Sequence, residues 1–337
     1  MRVTISQRTL RFATPLLTSY GPLTERELFE LRIEGSDGVA GRGEAAPLEP
    51  YDGVSPDRAR AALESYRAVL EDGDEREGGE LLDGCRAADD LPQALAAVDL
   101  ALWDRAGRRA GRPVAELLSD DPLRAVAVNA TIGAEDRAGA AAQAAAARAC
   151  GFGCVKLKVG TGDDAGRVAA VRAALGPDAD LRLDANGAWS PEEAVRAIET
   201  LAPAGLELVE EPVHGLDGLR AVRERVTVRI AMDETTDEPG SLASGAADAV
   251  CLKLARCGGI SGLLAQATLV RATGADVYLA STYDGPLGIA AAVHCAAALR
   301  PTAACGLGTL DLFSDELVVL PVRDGAIAVP DAPGLGV

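Results

Sequence analysis

Three lysines stand out in a chain that otherwise meets its need for positive charge with arginine. Of 33 basic residues in 337, only Lys156, Lys158 and Lys253 are lysine. Arginine keeps its proton near neutral pH, whereas a partly desolvated lysine can release one. Lysine is therefore the type to expect where a proton must move. Lys156 and Lys158 lie in Val155-Lys156-Leu157-Lys158-Val159, a short run with β-branched ends and period-two alternation. Such a run reads as a strand, with both lysines on one side of it. An arginine-rich composition alone could scatter three lysines anywhere, but these fall at the ends of two strand-like runs.

Acids end the intervening runs. Asp184, Glu210 and Asp233 follow Lys158 and precede Lys253, spaced roughly 25 residues apart, the rhythm of successive strands in a parallel barrel. Each alone would read as a solvated strand-end acid. Three in succession, with no paired arginine motif, would repel one another unless a divalent cation lay among them. Only two histidines are present, His214 after a Glu-Glu-Pro turn and His294 in an Ala-rich run that reads as core. A Ser-His-Asp triad or a His-rich zinc site is thereby excluded, and a carboxylate-held metal points to Mg²⁺ or Mn²⁺. One such metal between two opposed lysines suits removal of a proton α to a carboxylate. The metal would neutralise the developing enediolate while a lysine takes or returns the proton. Lys156 would place a like charge beside Lys158 and favour loss of its proton.

The elements that must position these groups fall into two blocks. Residues 1–46 alternate as strands, at Arg2–Phe12, Leu28–Ile33 and Val39–Glu44, with Ser36-Asp37-Gly38 as a tight turn. Polar loops lie at Thr18–Pro22 and Pro47–Gly53. Helices follow, one opened by Ser55-Pro56 and one with Leu95, Val98, Leu102 and Ala106 on a single face. This is an α+β unit. From Val126 short apolar strands alternate with Ala-rich helices, near 126–131, 154–158, 180–184, 206–210, 228–233, 249–254, 276–281 and 303–307. The helix at 191–202 shows the unit clearly: Ser190 and Glu193 form a capping box, Pro191 is the first helical residue, and Ala194, Val195, Ile198 and Leu201 make its apolar face. Eight strands with intervening helices describe a TIM-like barrel in the α/β class. A doubly wound sheet would use fewer strands and a Gly-rich first turn. Domain boundaries are expected at 1–120 for the α+β unit and 121–320 for the barrel, with 321–337 packing back on the first unit.

Lys156-x-Lys158, Asp184-Ala185-Asn186-Gly187-Ala188-Trp189, Val209-Glu210-Glu211-Pro212, Met232-Asp233-Glu234 and Leu252-Lys253-Leu254 with Gly258-Gly259 resemble the enolase superfamily, muconate-lactonising subgroup. The helix Ala97–Asp104 and the ending Pro333–Val337 are similar to that family too, so the resemblance spans nearly the whole chain. It implies an α+β capping domain on a (β/α)7β modified TIM barrel, and one Mg²⁺ on Asp184, Glu210 and Asp233. It also implies Lys158 and Lys253 as acid/base or cationic groups assisted by Lys156, with Glu211, Glu234 and Asn186 behind them. The segments Ala280–Ile289 and Gly306–Leu312 resemble o-succinylbenzoate synthases, which implies a dehydration with Lys158 as base and acid and Lys253 as an electrostatic stabiliser. Dipeptide epimerases are the rival, with N-succinylamino acid racemases and muconate cycloisomerases; a non-catalytic binding barrel is a remote alternative. Many dipeptide epimerases carry Asp-x-Asp at the eighth strand, where this chain has Gly306 and Gly308. Arg256 stands where relatives often have lysine. The resemblance implies a small carboxylate substrate, met by Ser19, Tyr20, Tyr51, Asn186, Ser281, Thr282, Gly306 and Leu307, with specificity read by the loops Ser19–Leu23 and Leu48–Asp52.

Composition bounds the partners. A net charge of −18 argues against nucleic acid, whose phosphates would be repelled. No apolar run is long enough to span a bilayer, and the N-terminus lacks a signal pattern. Seven cysteines without paired C-x-x-C spacing read as reduced thiols. A soluble cytoplasmic protein is expected, with no membrane partner; association of identical copies is common among barrels of this family.

Overall fold

A computed structural model describes residues 1–18, 21–133, 136–314 and 319–337. The N-terminal unit is an antiparallel sheet of β1 (Arg2–Thr18), β2 (Gly21–Glu34) and β3 (Ala40–Ala45). The first two strands are longer than alternation alone suggests. They form one hairpin that keeps register from Arg2↔Glu34 to Arg11↔Glu25, shifts, and resumes at Leu16↔Leu23. The shift brackets Pro15, which has no N–H to give to a ladder. One face of the sheet buries Phe29, Leu31 and Ile33 against Ala59, Leu63, Leu70, Leu95 and Val98. The helix α1 (Pro92–Ala110) crosses β3 at very close range. A Cβ on Gly43 would strike the Ala97 carbonyl, so only glycine lets strand and helix approach this far.

The second unit is a curled sheet of seven parallel strands: β5 (Ala130–Ile132), β6 (Cys154–Lys158), β7 (Asp180–Asp184), β8 (Leu206–Glu210), β9 (Arg229–Met232), β10 (Ala249–Lys253) and β11 (Asp276–Ala280). Their order in space is their order in sequence. The strand expected at 126–131 is interrupted. Its first half, β4 (Ala125–Ala127), leaves the barrel to pair with β13 (Ala326–Ala328), itself paired with β12 (Val322–Arg323). The strand expected at 303–307 shortens to two bridging residues. Cys305 and Gly306 pair in parallel with Val128 and Ala280, closing the circle between β11 and the first strand. Val and Leu from the strands pack with helix faces in one continuous core. The capping box Ser190–Glu193 opens the helix Pro191–Leu201 as expected. Of the segment expected at 321–337 to pack on the first unit, β12 and β13 instead form a small sheet with β4, and only its end meets that unit: Leu335 N–H donates to Asp104 at 2.7 Å and Val114 N–H to the Gly334 carbonyl at 2.9 Å. All seven cysteines are free, six of them buried. No helix among the described residues is long and apolar enough to cross a membrane.

Candidate active site

The C-terminal ends of β6 to β10 present Lys158, Asp184, Glu210, Asp233 and Lys253 in order around one point. In a parallel barrel this rim is where side chains can converge without breaking the core. Asp184, Glu210 and Asp233 are almost wholly buried. Lys156 Nζ lies 2.8 Å from Asp184 Oδ2 and 2.7 Å from Glu210 Oε1. Lys158 Nζ donates to Asp184 Oδ2 at 2.5 Å and Asn186 Oδ1 at 2.8 Å. Lys253 bonds both oxygens of Asp233. Burial alone would raise the Asp184 and Asp233 carboxyls, but the neighbouring lysines hold both below the usual range. Burial would likewise lower Lys156 and Lys253, yet the facing carboxylates keep both ammoniums well above the ordinary lysine value. Lys156 thus does not confront Lys158 as a bare like charge, as strand parity alone suggests. Its charge is spent on Asp184 and Glu210.

The cluster is short of positive charge. Burial, reinforced by Asp184 and Asp233, pushes Glu210 upward despite Lys156. Glu211 and Glu234 stand behind, both raised first by burial. One oxygen of Glu234 is buried with no hydrogen-bond partner. Five carboxylates stand around three lysines, and Asp184, Glu210 and Asp233 offer the oxygen donors that suit a hard divalent cation, with the Cys251 thiol close beside them. Among the described residues, ligand atoms of Glu210, Asp233 and Cys251 all lie within 4.8 Å of one another. Glu211 orders the loop behind the acids, accepting from Asp233 N–H at 2.8 Å and Thr235 N–H at 3.0 Å, while His214 Nδ1 lies 3.1 Å away.

The other expected contacts divide. Tyr51, from the one-turn helix Glu49–Asp52, reaches the C-terminal rim of the barrel and accepts from Lys253 at 2.6 Å and Arg256 at 2.5 Å. Burial first keeps its phenol above the usual range, and its proton points to Asp233 Oδ1 at 3.3 Å. Asn186, at φ 44°, links Lys158 to Glu234 through a 2.8 Å bond from its amide. Ser281 is half-buried, its hydroxyl 2.9 Å from Thr309 Oγ1. Thr282 is buried and donates to Asp284 at 2.7 Å. Leu307 is fully buried and packs in the main core. Gly306 uses its backbone to close the barrel, donating to the Leu279 carbonyl and accepting from Ser281 N–H. Ser19 and Tyr20 lie outside the described residues. Tyr278 escaped notice in the sequence: its buried hydroxyl donates to Glu210 Oε2 at 2.9 Å. Parity could have found it, since it sits two residues before the end of β11. Parity likewise puts Cys251 two residues before Lys253.

Comparison with known proteins gives this geometry a family. Residues 1–119 match the mandelate racemase/muconate lactonizing enzyme N-terminal domain, and residues 139–337 the enolase C-terminal domain-like family. The L-Ala-D/L-Glu epimerase of Bacillus subtilis is 31% identical, covering 100% of this chain and 96% of its own. The o-succinylbenzoate synthase of Thermobifida fusca is 39% identical over 62% of this chain and 70% of its own. A dipeptide epimerase of Enterococcus faecalis, solved with Mg and the dipeptide L-Leu-L-Tyr, superposes with a TM-score of 0.90 at 28% identity, covering 99% of this chain and 98% of that one. The chain belongs to the enolase superfamily, in its mandelate racemase/muconate lactonizing enzyme branch, and is an enzyme of the isomerase and lyase kind found there.

Proposed function

We propose that the protein removes a proton α to a carboxylate, in a dehydration of the o-succinylbenzoate synthase type. The observation that carries this reading is the inequality of the two opposed lysines. The Lys158 side chain is 36% exposed and held by Asp184 and Asn186. The Lys253 side chain is 9% exposed, held by Asp233 and Tyr51, its Nζ 4.6 Å from the Tyr51 ring centre. A part-exposed lysine suits proton transfer with a substrate, whereas a buried one fixed by a carboxylate and an aromatic face suits a permanent charge.

Asp184, Glu210 and Asp233 would hold Mg²⁺. Bound there, it would supply positive charge against the negative charge that develops on the substrate carboxylate. Lys158 takes the α-proton and Asn186 orients its amine. The same ammonium then returns the proton to the departing hydroxyl, so the C–H and C–O bonds break, a C=C bond forms and water leaves. Lys253 faces the developing charge from the other side, and Lys156 keeps Asp184 and Glu210 compensated. Residues 1–120, with the last residues of the chain returning to them, act as the capping domain over a barrel from 121 that also carries β12 and β13 against β4. The chain would work in the cytoplasm on a small carboxylate, with its seven thiols reduced.

Loss of absorbance of the hydroxycyclohexadiene carboxylate precursor, incubated with enzyme and Mg²⁺, tests the assignment; no turnover would sink it. Dipeptide epimerisation is the second reading, favoured by end-to-end likeness to an L-Ala-D/L-Glu epimerase. Against it, Gly306 and Gly308 offer no carboxylate for a substrate ammonium at the eighth strand. Deuterium entering the α position of a dipeptide in D₂O, without precursor turnover, would select it.

A further inference from the structure

We propose that Glu44 and Asp99 are positioning residues of the active site: two buried capping-domain carboxylates, each closing the N-terminus of a barrel helix that follows a site-bearing strand. The helix α2 (Ile260–Ala272) follows β10, which ends in Lys253, and α3 (Pro286–Leu299) follows β11 and Ser281. Asp99, from the middle of α1, accepts from Ser261 N–H at 2.9 Å and Ser261 Oγ at 2.6 Å. Trp103, one turn later, donates to the same hydroxyl at 3.0 Å. Glu44, near the end of β3, accepts from Gly285 N–H at 2.7 Å.

Both helix-capping glycines are shaped by these contacts. A Cβ on Gly259 would meet Asp99 Oδ2 at 2.6 Å, and one on Gly285 would strike Glu44. The carboxylates thus occupy the space a side chain would need, and they satisfy N–H groups that a buried helix start leaves orphaned. Because β3 and α1 pack at glycine-only distance, Glu44 and Asp99 belong to one rigid block. The same block launches the loop that carries Tyr51, whose start is pinned by Arg26 through the Pro47 carbonyl at 2.6 Å. On the barrel side, the turn into α2 hangs from the Lys253 carbonyl, which accepts from Arg256 N–H at 3.1 Å and Cys257 N–H at 3.0 Å. Tyr51, Lys253 and Ser281 are therefore held in common register. Among the described residues, no capping-domain carboxylate accepts a hydrogen bond from the loops after β6 or β7. Burial, with Asp284 nearby, pushes Glu44 up to about 8, and its bond from Gly285 N–H asks only for a carbonyl oxygen. Its amide analogue should supply one.

The kinetic arm of the test rests on the proton-abstraction reading; the structural arm does not. Hydrogen–deuterium exchange is measured on the full chain. Glu44→Ala should speed exchange in residues 283–289 about ten-fold, and Asp99→Ala that in 259–264, the loss expected for one buried bond. The β6 to β8 segments should keep the wild-type rate. Glu44→Gln and Asp99→Asn keep a carbonyl acceptor and should restore protection. With the dehydration substrate, Glu44→Ala should chiefly raise KM and Asp99→Ala chiefly lower kcat, each several-fold. Uniform acceleration of exchange, unchanged local exchange, conservative variants as damaged as alanine, or unaltered KM and kcat would each overturn the proposal. If the wild type turns over no substrate, the function assignment fails while the exchange pattern still decides the clamps.

Discussion

The two sides of the active site are built from the same chemistry and held in opposite ways. On one side Lys158 projects from β6, part-exposed, against Asp184 and Asn186. On the other Lys253 projects from β10 into a buried nest of Asp233, Tyr51 and Arg256, under a capping domain plugged into α2 and α3. Both lysines face carboxylates; only one is enclosed. Where a side chain is free to approach substrate it can exchange a proton, and where it is fixed from three directions it serves best as a charge.

The largest expected effect breaks the site on the open side. Lys158→Ala should lower kcat about 10³-fold or more, the scale of a lost general acid–base group, with its urea midpoint close to wild type. On the enclosed side, substitution separates charge from proton transfer. Lys253→Ala should cost about 10²-fold or more, the range for removing a preorganised electrostatic group. Lys253→Arg, which keeps the charge, should recover well over half of that loss on a logarithmic scale; steady-state kinetics on both would show it. Equal loss in the two variants would mean that Lys253 transfers a proton. Tyr51→Phe keeps the aromatic face but removes the hydroxyl shared by Lys253 and Arg256, and should cost about five-fold in kcat/KM.

The enclosed side also responds to pH. His294, buried on α3, accepts from Ala115 N–H at 3.1 Å and lies 3.2 Å from the Leu335 carbonyl. Burial lowers it from 6.5 to about 4. Between these values the unfolded chain binds a proton that the folded one refuses, so stability falls as pH drops from 6.5 towards 4, by on the order of 3 kcal/mol. Glu44 acts in the opposite sense. Its folded value of about 8 lies above the unfolded 4.5, so its contribution falls as pH rises through that window. Between 4.5 and 6.5 the two slopes oppose each other. Urea midpoints measured from pH 4 to 9 should therefore fall chiefly between 6.5 and 8, and Glu44→Gln should flatten that fall and expose the acid limb set by His294.

Much of the open side was legible in the sequence. Period-two parity put Lys156 and Lys158 on one face, and the strand rhythm placed Asp184, Glu210 and Asp233 on successive strands, because in a parallel barrel position along the chain is position around the rim. The enclosed side was less legible. Tyr51 was expected at the substrate, but its aim at Lys253 depends on how a loop from another domain settles, which no local pattern encodes. Glu44 and Asp99 look like ordinary acids of a strand and a helix until the barrel is laid against them. Leu307 followed the eighth-strand motif and is buried in the main core, beside a strand that shrinks to a two-residue bridge.

The inequality of the lysines can be measured directly by placing the two enantiomers of an N-succinylamino acid, with Mg²⁺ and enzyme, in D₂O and following α-proton washout by NMR. One-base chemistry predicts rapid exchange of a single enantiomer, abolished by Lys158→Ala and retained in part by Lys253→Arg. Comparable exchange of both enantiomers, lost equally in the two variants, would contradict it.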